Sequence, residues 1–198
     1  MKFLTFVDLH EDKNVLKKLV YRAKEDDIDF LVTPGDITLF GKSLRYILKK
    51  LNGIGKKVYL IPGNHESDNM LNKVLADYPN CINFNNSHFK ESGYVFLGYG
   101  GGGFSAEDSE FRKISRKWYS EFQDDKTILV THGPPFGNKI DLIEKRHVGN
   151  KDFRKFVERI NPKLVICGHI HETAGVQDKL GKTMIINPGG EGMVIELN

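Results

Sequence analysis

Five short apolar runs in this chain end in a turn and then in a residue able to hold a metal. The pieces are Asp8-Leu9-His10, Gly35-Asp36, Gly63-Asn64-His65, Thr131-His132-Gly133 and Gly168-His169-Ile170-His171. Of the 7 histidines, only His88 and His147 lie outside them. Ligand sites in open α/β sheets lie beyond the carboxyl ends of parallel strands. Donors that each follow a strand-like run can therefore meet at one mouth of such a fold. Imidazole nitrogens with carboxylate and amide oxygens, and no thiolate, suit a hydrolytic metal centre.

The hydrophobic pattern supports that architecture. Phe3–Val7, Ile28–Val32 and Val58–Ile61 read as buried strands. Between them, Val15, Leu16, Leu19, Val20 and Ala23 recur at helical spacing, as do Leu44, Ile47, Leu48 and Leu51, with Ser43 placed as an N-cap. A third helix carries Leu71, Val74 and Leu75. Alternating strands and helices argue for a largely parallel sheet flanked by helices. The second half is richer in strand. Tyr94–Leu97 leads into Gly100–Gly103, and Ser105 precedes a helix with Phe111, Ile114, Trp118 and Phe122 on one face. Ile128–Val130 follows, then a stripe of Phe153, Phe156, Val157 and Ile160 that Asn161-Pro162 stops. Leu164–Cys167, Glu172–Val176, Thr183–Ile186 and Met193–Leu197 read as closing strands. So many strands exceed one small open sheet. The expected fold is α/β, a four-layer αββα sandwich of two mixed β-sheets flanked by helices.

At 198 residues the expectation is a single domain, residues 1–198, with enough core to fold without disulfide or structural metal. A formal charge of +3 permits anionic substrates, but no basic block announces a nucleic-acid binder. Cys81 and Cys167 form no CxxC pair, so a reduced, cytoplasmic setting is expected. No apolar run is long enough for a membrane span. A homo-oligomer is left open.

Taken singly, most of these motifs are turn chemistry: Gly-Asp and Gly-Asn favour tight turns, and a lone Asp-x-His is a common surface loop. The ordered set of Asp8-Leu9-His10, Gly35-Asp36, Gly63-Asn64-His65-Glu66, His132 and Gly168-His169-Ile170-His171 is far more specific. With it the chain resembles the calcineurin-like metallophosphoesterases, and Thr131-His132-Gly133-Pro134-Pro135 and Asn187-Pro188-Gly189 resemble their small bacterial and archaeal members.

That resemblance implies two divalent transition-metal ions, with Asp8, His10, Asp36 and His171 holding one, and Asp36, Asn64, His132 and His169 the other. It implies hydrolysis of phosphodiesters or phosphomonoesters by a hydroxide shared between the metals, with His65 assisting the leaving group. Two such ions carry about +4, and two carboxylates and a hydroxide remove about 3, which leaves a site that attracts phosphate without gripping it permanently. Mixed N and O ligands without thiolate favour Mn, Fe, Zn, Co or Ni over Mg or Ca without choosing among them; Mn is the first expectation, with Fe, Zn, Co or Ni as alternatives. Glu66 is expected to orient the His65 ring, and the competing reading is a carboxylate at a helix start. His147 and Asn150 are expected to line the substrate pocket, with Asn150 also a good N-cap. The family often has Gly where this chain has Glu11, a residue that either restricts large anionic substrates or caps the next helix.

Two other functions fit the same fold. A nuclease acting on DNA or RNA ends would ordinarily add domains or a basic channel, and the sequence has neither. A catalytically silent interaction scaffold would have lost site residues, whereas His65 and the full ligand set are present. A small phosphate ester is therefore the expected partner.

Overall fold

The computed structural model of the chain describes residues 1–25 and 27–197. The elements run β1 (Lys2–Thr5), α1 (Lys13–Glu25), β2 (Phe30–Thr33), α2 (Leu44–Asn52), β3 (Val58–Leu60), α3 (Asp68–Leu75), β4 (Cys81–Asn83), β5 (Ser87–Glu91) and β6 (Tyr94–Tyr99). They continue with α4 (Ser109–Phe122), β7 (Lys126–Thr131), β8 (Leu142–Ile143), β9 (Arg146–His147), α5 (Lys151–Ile160), β10 (Leu164–Ile166), β11 (Gln177–Leu180), β12 (Thr183–Ile186) and β13 (Met193–Glu196).

Two mixed sheets form. The first has the order β13-β1-β2-β3-β4, parallel except for β13. The second has the order β11-β12-β10-β7-β6-β5, antiparallel only at its two edges. Strand alternation assigns each side chain to a layer. Phe3, Phe30, Phe96, Ile128, Val130 and Ile166 meet between the sheets. Leu4, Leu31 and Val58 face the other way, onto Leu16, Leu19, Ile47 and Leu48 of α1 and α2. Val95, Leu97, Leu129 and Val165 pack against Phe111, Trp118, Phe153 and Phe156 of α4 and α5. The result is the four-layer αββα sandwich read from the sequence. The layer between the sheets is aromatic: Phe3 stacks on Phe30 at 5.2 Å and meets Phe96 edge-on at 5.6 Å, arrangements that ring quadrupoles favour.

Helix faces follow the expected spacing. Leu44, Ile47, Leu48 and Leu51 are the buried residues of α2, and α5 ends at Asn161 in the left-handed region before Pro162. Three local expectations are corrected. Ser105 does not cap α4; its hydroxyl donates to the Glu107 carbonyl, and Asp108 is the cap, accepting from the Glu110 and Phe111 amides. Ser43 occupies the cap position of α2 without a side-chain hydrogen bond; the Ser43 amide donates instead to Glu11 Oε1 at 3.0 Å. Glu172–Val176 is not a strand. His171–Thr173 forms one 3-10 turn, because the Thr173 hydroxyl and the Asn187 side-chain Nδ2 both donate to the Ile170 carbonyl; pairing starts at Gln177.

Among the described residues no helix is long and apolar enough to cross a membrane. Cys81 and Cys167 are buried and unbridged, and burial pushes the Cys81 thiol up to about 12. Asp108→Ala removes the α4 cap and the acceptor of the Tyr99 hydroxyl, which lies 2.8 Å from Asp108 Oδ2. A urea midpoint measurement should report a loss of about 2 kcal/mol.

Candidate metal centre

Past the ends of β1 and β2 the backbone pairing continues into the loops. The Asp8 amide donates to the Gly35 carbonyl and the His10 amide to the Asp36 carbonyl. Past β7 and β10 of the second sheet the Gly168 amide donates to the His132 carbonyl, and across the two sheets' ends the His169 amide donates to Asp8 Oδ2. The last of these bonds ties together loops that are 161 residues apart in sequence.

Asp36 sits at the centre, 2 % exposed. Its Oδ2 lies 3.3 Å from His132 Nε2, 3.8 Å from His65 Nε2 and 3.9 Å from His10 Nε2. Its Oδ1 accepts from the His65 amide at 2.9 Å. His10 Nε2 and His171 Nε2 approach to 3.0 Å. Donor atoms converge in three groups within which every pair lies under 4.8 Å: Asp8, His10 and His171; His10, Asp36 and His65; Asp36, His132 and His169. Asn64 joins the last through its Oδ1, 2.9 Å from His132 Nε2.

The chemistry of these contacts fits a cation. His132 Nδ1 lies 2.9 Å from the Pro34 carbonyl, so that nitrogen carries a proton and donates it. His132 Nε2 is then left facing two oxygens, Asn64 Oδ1 and Asp36 Oδ2. A lone pair aimed at two other lone pairs is repulsive unless a proton or a metal lies among them. A carbonyl that fixes the far nitrogen of a ligand imidazole is the usual outer partner in metal sites. Asp8 Oδ1, His10 Nδ1, His65 Nδ1 and His169 Nε2 are buried without a hydrogen-bond partner. Buried polar atoms are ordinarily paired, and here four fall in one cluster. The backbone is strained at the same place. Asp8, His10, Asp36 and His169 have φ of 54°, 44°, 50° and 70°, a region that side chains with a Cβ enter at a penalty.

Titration reflects the crowding. Burial, reinforced by the positive charge of His132, pushes the His169 imidazole down to about 4. Burial also lowers His10, against the pull of Asp36 and Asp8. For Asp36, burial acts upward, but the His132 hydrogen bond and charge outweigh it and hold the carboxyl below the ordinary range. His132 moves the opposite way: burial works against its charged form, yet Asp36 prevails and raises it. Burial raises Asp8, opposed by His132 and His171.

Two glycines make the approach possible. A Cβ on Gly63 would collide with the Asp36 carboxylate, and one on Gly168 would strike the Val7 side chain and come within 2.8 Å of Asp8 Oδ2. Glu66 acts on the same turn. Its carboxylate accepts from the amides of Asp36 (2.9 Å), Thr38 (2.7 Å) and Gly63 (3.3 Å) and from the Thr38 hydroxyl (2.6 Å). It thus holds the Asp36 turn against the Gly63 turn, and these four bonds involve no atom of the His65 ring. Burial raises Glu66, with the Thr38 bonds opposing.

The residues expected to line the substrate pocket have partners of their own. His147 Nδ1 donates to the buried Asp141 at 2.7 Å, and Asp141 also accepts from the Gly137, Asn138 and Gly149 amides. Asn150 is 5 % exposed; its Oδ1 caps α5 through the Asp152 and Phe153 amides, and its Nδ2 donates to the Ser105 carbonyl. Glu11 Oε1 accepts from the Leu39 and Ser43 amides, so it anchors the loop after Asp36, while Asp12 caps α1 through the Asn14 and Val15 amides. Sequence reasoning gave no role to Phe40 and Phe104, whose rings lie 4.4 Å from His65 and His169 respectively. The available signal was a large apolar residue inside a glycine turn, where surface chain is usually polar.

A family profile described as Calcineurin-like phosphoesterase matches residues 1–173. An uncharacterized protein of Methanocaldococcus jannaschii, MJ1162, is 30% identical over 200 residues, covering 95% of this chain and 88% of that protein. A protein of Arcobacter nitrofigilis named probable glycerophosphodiester phosphodiesterase is 26% identical over 167 residues, covering 74% of this chain and 58% of its own length. The crystal structure of TT1561 from Thermus thermophilus superposes with a TM-score of 0.75 at 18% identity, covering 95% of this chain and 88% of that one.

Folded His169 binds its proton with a value of about 4, against 6.5 for the free side chain. Between those values the unfolded chain binds the proton more readily. The His169 contribution therefore opposes folding of the metal-free protein increasingly as pH falls from 6.5 towards 4. NMR titration of the metal-free protein should place the His169 ring midpoint near 4, and a midpoint near 6.5 would contradict the burial described.

Proposed function

This chain belongs to the calcineurin-like phosphoesterase family, and from that premise we propose that it hydrolyses phosphodiesters, phosphomonoesters or both with two divalent transition-metal ions bound. The observation that carries the reading is the Asp36 carboxylate, buried and within 3.9 Å of three imidazoles from three different loops. Asp8, His10, Asp36 and His171 would hold one ion, and Asp36, Asn64, His132 and His169 the other, with Asp36 common to both. Their oxygen and nitrogen donors, without thiolate, favour Mn, Fe, Zn, Co or Ni over Mg or Ca, and Mn is the first to test. When bound, the pair supplies positive charge to the phosphoryl oxygens and makes water acidic enough to attack at neutral pH.

The remaining chemistry belongs to the chain. His65 follows a ligand directly, and its Nε2 faces the cluster at 3.8 Å from Asp36 Oδ2. That position supports a role for the His65 imidazole in protonating the leaving alkoxide, and such transfer contributes roughly 10²–10⁴-fold. Glu66 is a positioning residue: four donors on its carboxylate fix the turn that carries Asp36. The Pro34 carbonyl sets the tautomer of His132. The name of the Arcobacter relative supports diester cleavage.

With Mn²⁺ added, the protein is expected to cleave bis-p-nitrophenyl phosphate. Asp36→Asn should lower bound metal and turnover together, the latter by about 100-fold or more. His65→Gln should lower kcat by about 100-fold while mass spectrometry finds the metal content nearly intact. Loss of metal in His65→Gln would assign His65 to ligation instead.

A further inference from the structure

Large apolar side chains on a protein surface are informative when they gather. Among the described residues the exposed ones are Tyr21, Leu39, Phe40, Tyr46 and Phe104. Leu39 and Phe40 follow Asp36 by a few positions, and Phe104 ends the glycine loop that begins at Gly100. Both phenylalanines lie on the donor cluster. The Phe40 ring is 76 % exposed and sits 4.4 Å from the His65 ring; the Phe104 ring is 64 % exposed and sits 4.4 Å from the His169 ring. His65 and His169 belong to different donor groups, so the rings stand over different parts of the centre.

Neither ring is there by slack in its loop. Phe40 is held at a φ of 55°, a conformation that a bulky residue adopts only when its surroundings impose it. Those surroundings are Glu11 Oε1, which takes the Leu39 and Ser43 amides on either side, and the Thr38 hydroxyl, which accepts from the Gly41 amide at 2.9 Å. Thr38 is in turn bound to Glu66, so the Phe40 loop and the Asp36 turn share one anchor. On the other side, the loop before Phe104 is tied down by the Gly100 amide on Asn85 Oδ1 and the Gly101 amide on the Pro62 carbonyl. The residue after it is tied by Asn150 Nδ2 on the Ser105 carbonyl. Each phenylalanine keeps most of its surface in water while the loop beneath it is hydrogen-bonded.

We propose that Phe40 and Phe104 are specificity-determining residues that select phosphate esters carrying a planar aromatic group, with nucleoside phosphodiesters as the biological class. The inference rests on the phosphoesterase reading of the same site. A flat ring stacked on an exposed phenyl face gains area and quadrupole contact with no demand for a particular hydrogen-bond pattern. A glycerol or choline group offers no such face. Rings on two parts of the centre allow an aromatic group on either side of the phosphorus to be held. Glu11, which accepts from the Leu39 and Ser43 amides, acts through the Phe40 loop and is a positioning residue for this selection.

The test uses two diesters with the same leaving group, thymidine 5′-(p-nitrophenyl phosphate) and methyl p-nitrophenyl phosphate, both with Mn²⁺ and both read as p-nitrophenolate. Alongside, calorimetry compares binding of thymidine 5′-monophosphate and methyl phosphate to the Mn²⁺-loaded protein. The wild type should favour the thymidyl ester in kcat/KM by roughly tenfold or more, mainly through KM, and should bind thymidine 5′-monophosphate correspondingly tighter. Phe40→Ala and Phe104→Ala should each cut that preference, the pair together should bring the ratio to near 1, and the tryptophan replacements should restore it. Tyr21→Ala, an exposed aromatic on α1, should keep the wild-type ratio. Equal kcat/KM for both esters in the wild type overturns the inference while leaving the hydrolase intact. So does a fall in kcat on both esters at an unchanged ratio, since that marks the rings as mere supports for the imidazoles. Absence of hydrolysis with phenylalanine-dependent binding of the nucleotide would sink the hydrolase reading and keep this one.

Discussion

One buried carboxylate organises this molecule. Asp36 carries a charge that the interior would otherwise reject, and the chain surrounds it with imidazoles from the loops after β1, β3 and β7. The two sheets therefore share a polar junction at one end of an otherwise apolar interface. Between them the contacts are Phe3, Phe30, Phe96 and branched aliphatics; at the strand ends they are histidines and aspartates. The apolar layer fixes the distance between the sheets, and the polar junction uses it.

Holding such a junction requires local departures from good geometry. Asp8, His10, Asp36 and His169 sit at positive φ, and glycine at 63 and 168 allows backbone to pass where any side chain would clash. Buried donors stand unpaired in the same place. Strain, unpaired atoms and crowded like groups would each raise the energy of a site without ions. Together they describe a shape that pays off only once cations fill it. Glu66 is the piece that makes the shape rigid, because it gathers two turns on a single buried carboxylate.

Much of this was legible in the residue order. The unbroken apolar run of Leu164, Val165 and Ile166, buried on both faces, and the helical spacing in Leu44 to Leu51 are driven by burial, which acts on every residue of an element, so the sandwich could be read directly. The strands were read as slightly too long at Val7 because pairing does continue there, from loop to loop, beyond the regular ladder. What could not be read were choices between neighbouring polar residues. Ser105 and Asp108 are both fair caps by type, and only the position of α4 against α5 selects Asp108, whose amide is itself bound by Asp152. Glu66 next to His65 looked like its partner, yet adjacent residues point in different directions, and the glutamate turns inward to the Asp36 loop. Phe40 and Phe104 have no periodicity that could mark them; their meaning comes only from the histidines beneath.

The account stands on cations at the junction. Anomalous diffraction from crystals soaked in Mn²⁺ tests this most directly. The prediction is two peaks per chain, one touched by Asp8, His10 and His171, the other by Asn64, His132 and His169, with Asp36 reaching both. A junction without anomalous signal at saturating Mn²⁺, or manganese bound only at some other surface, would contradict it.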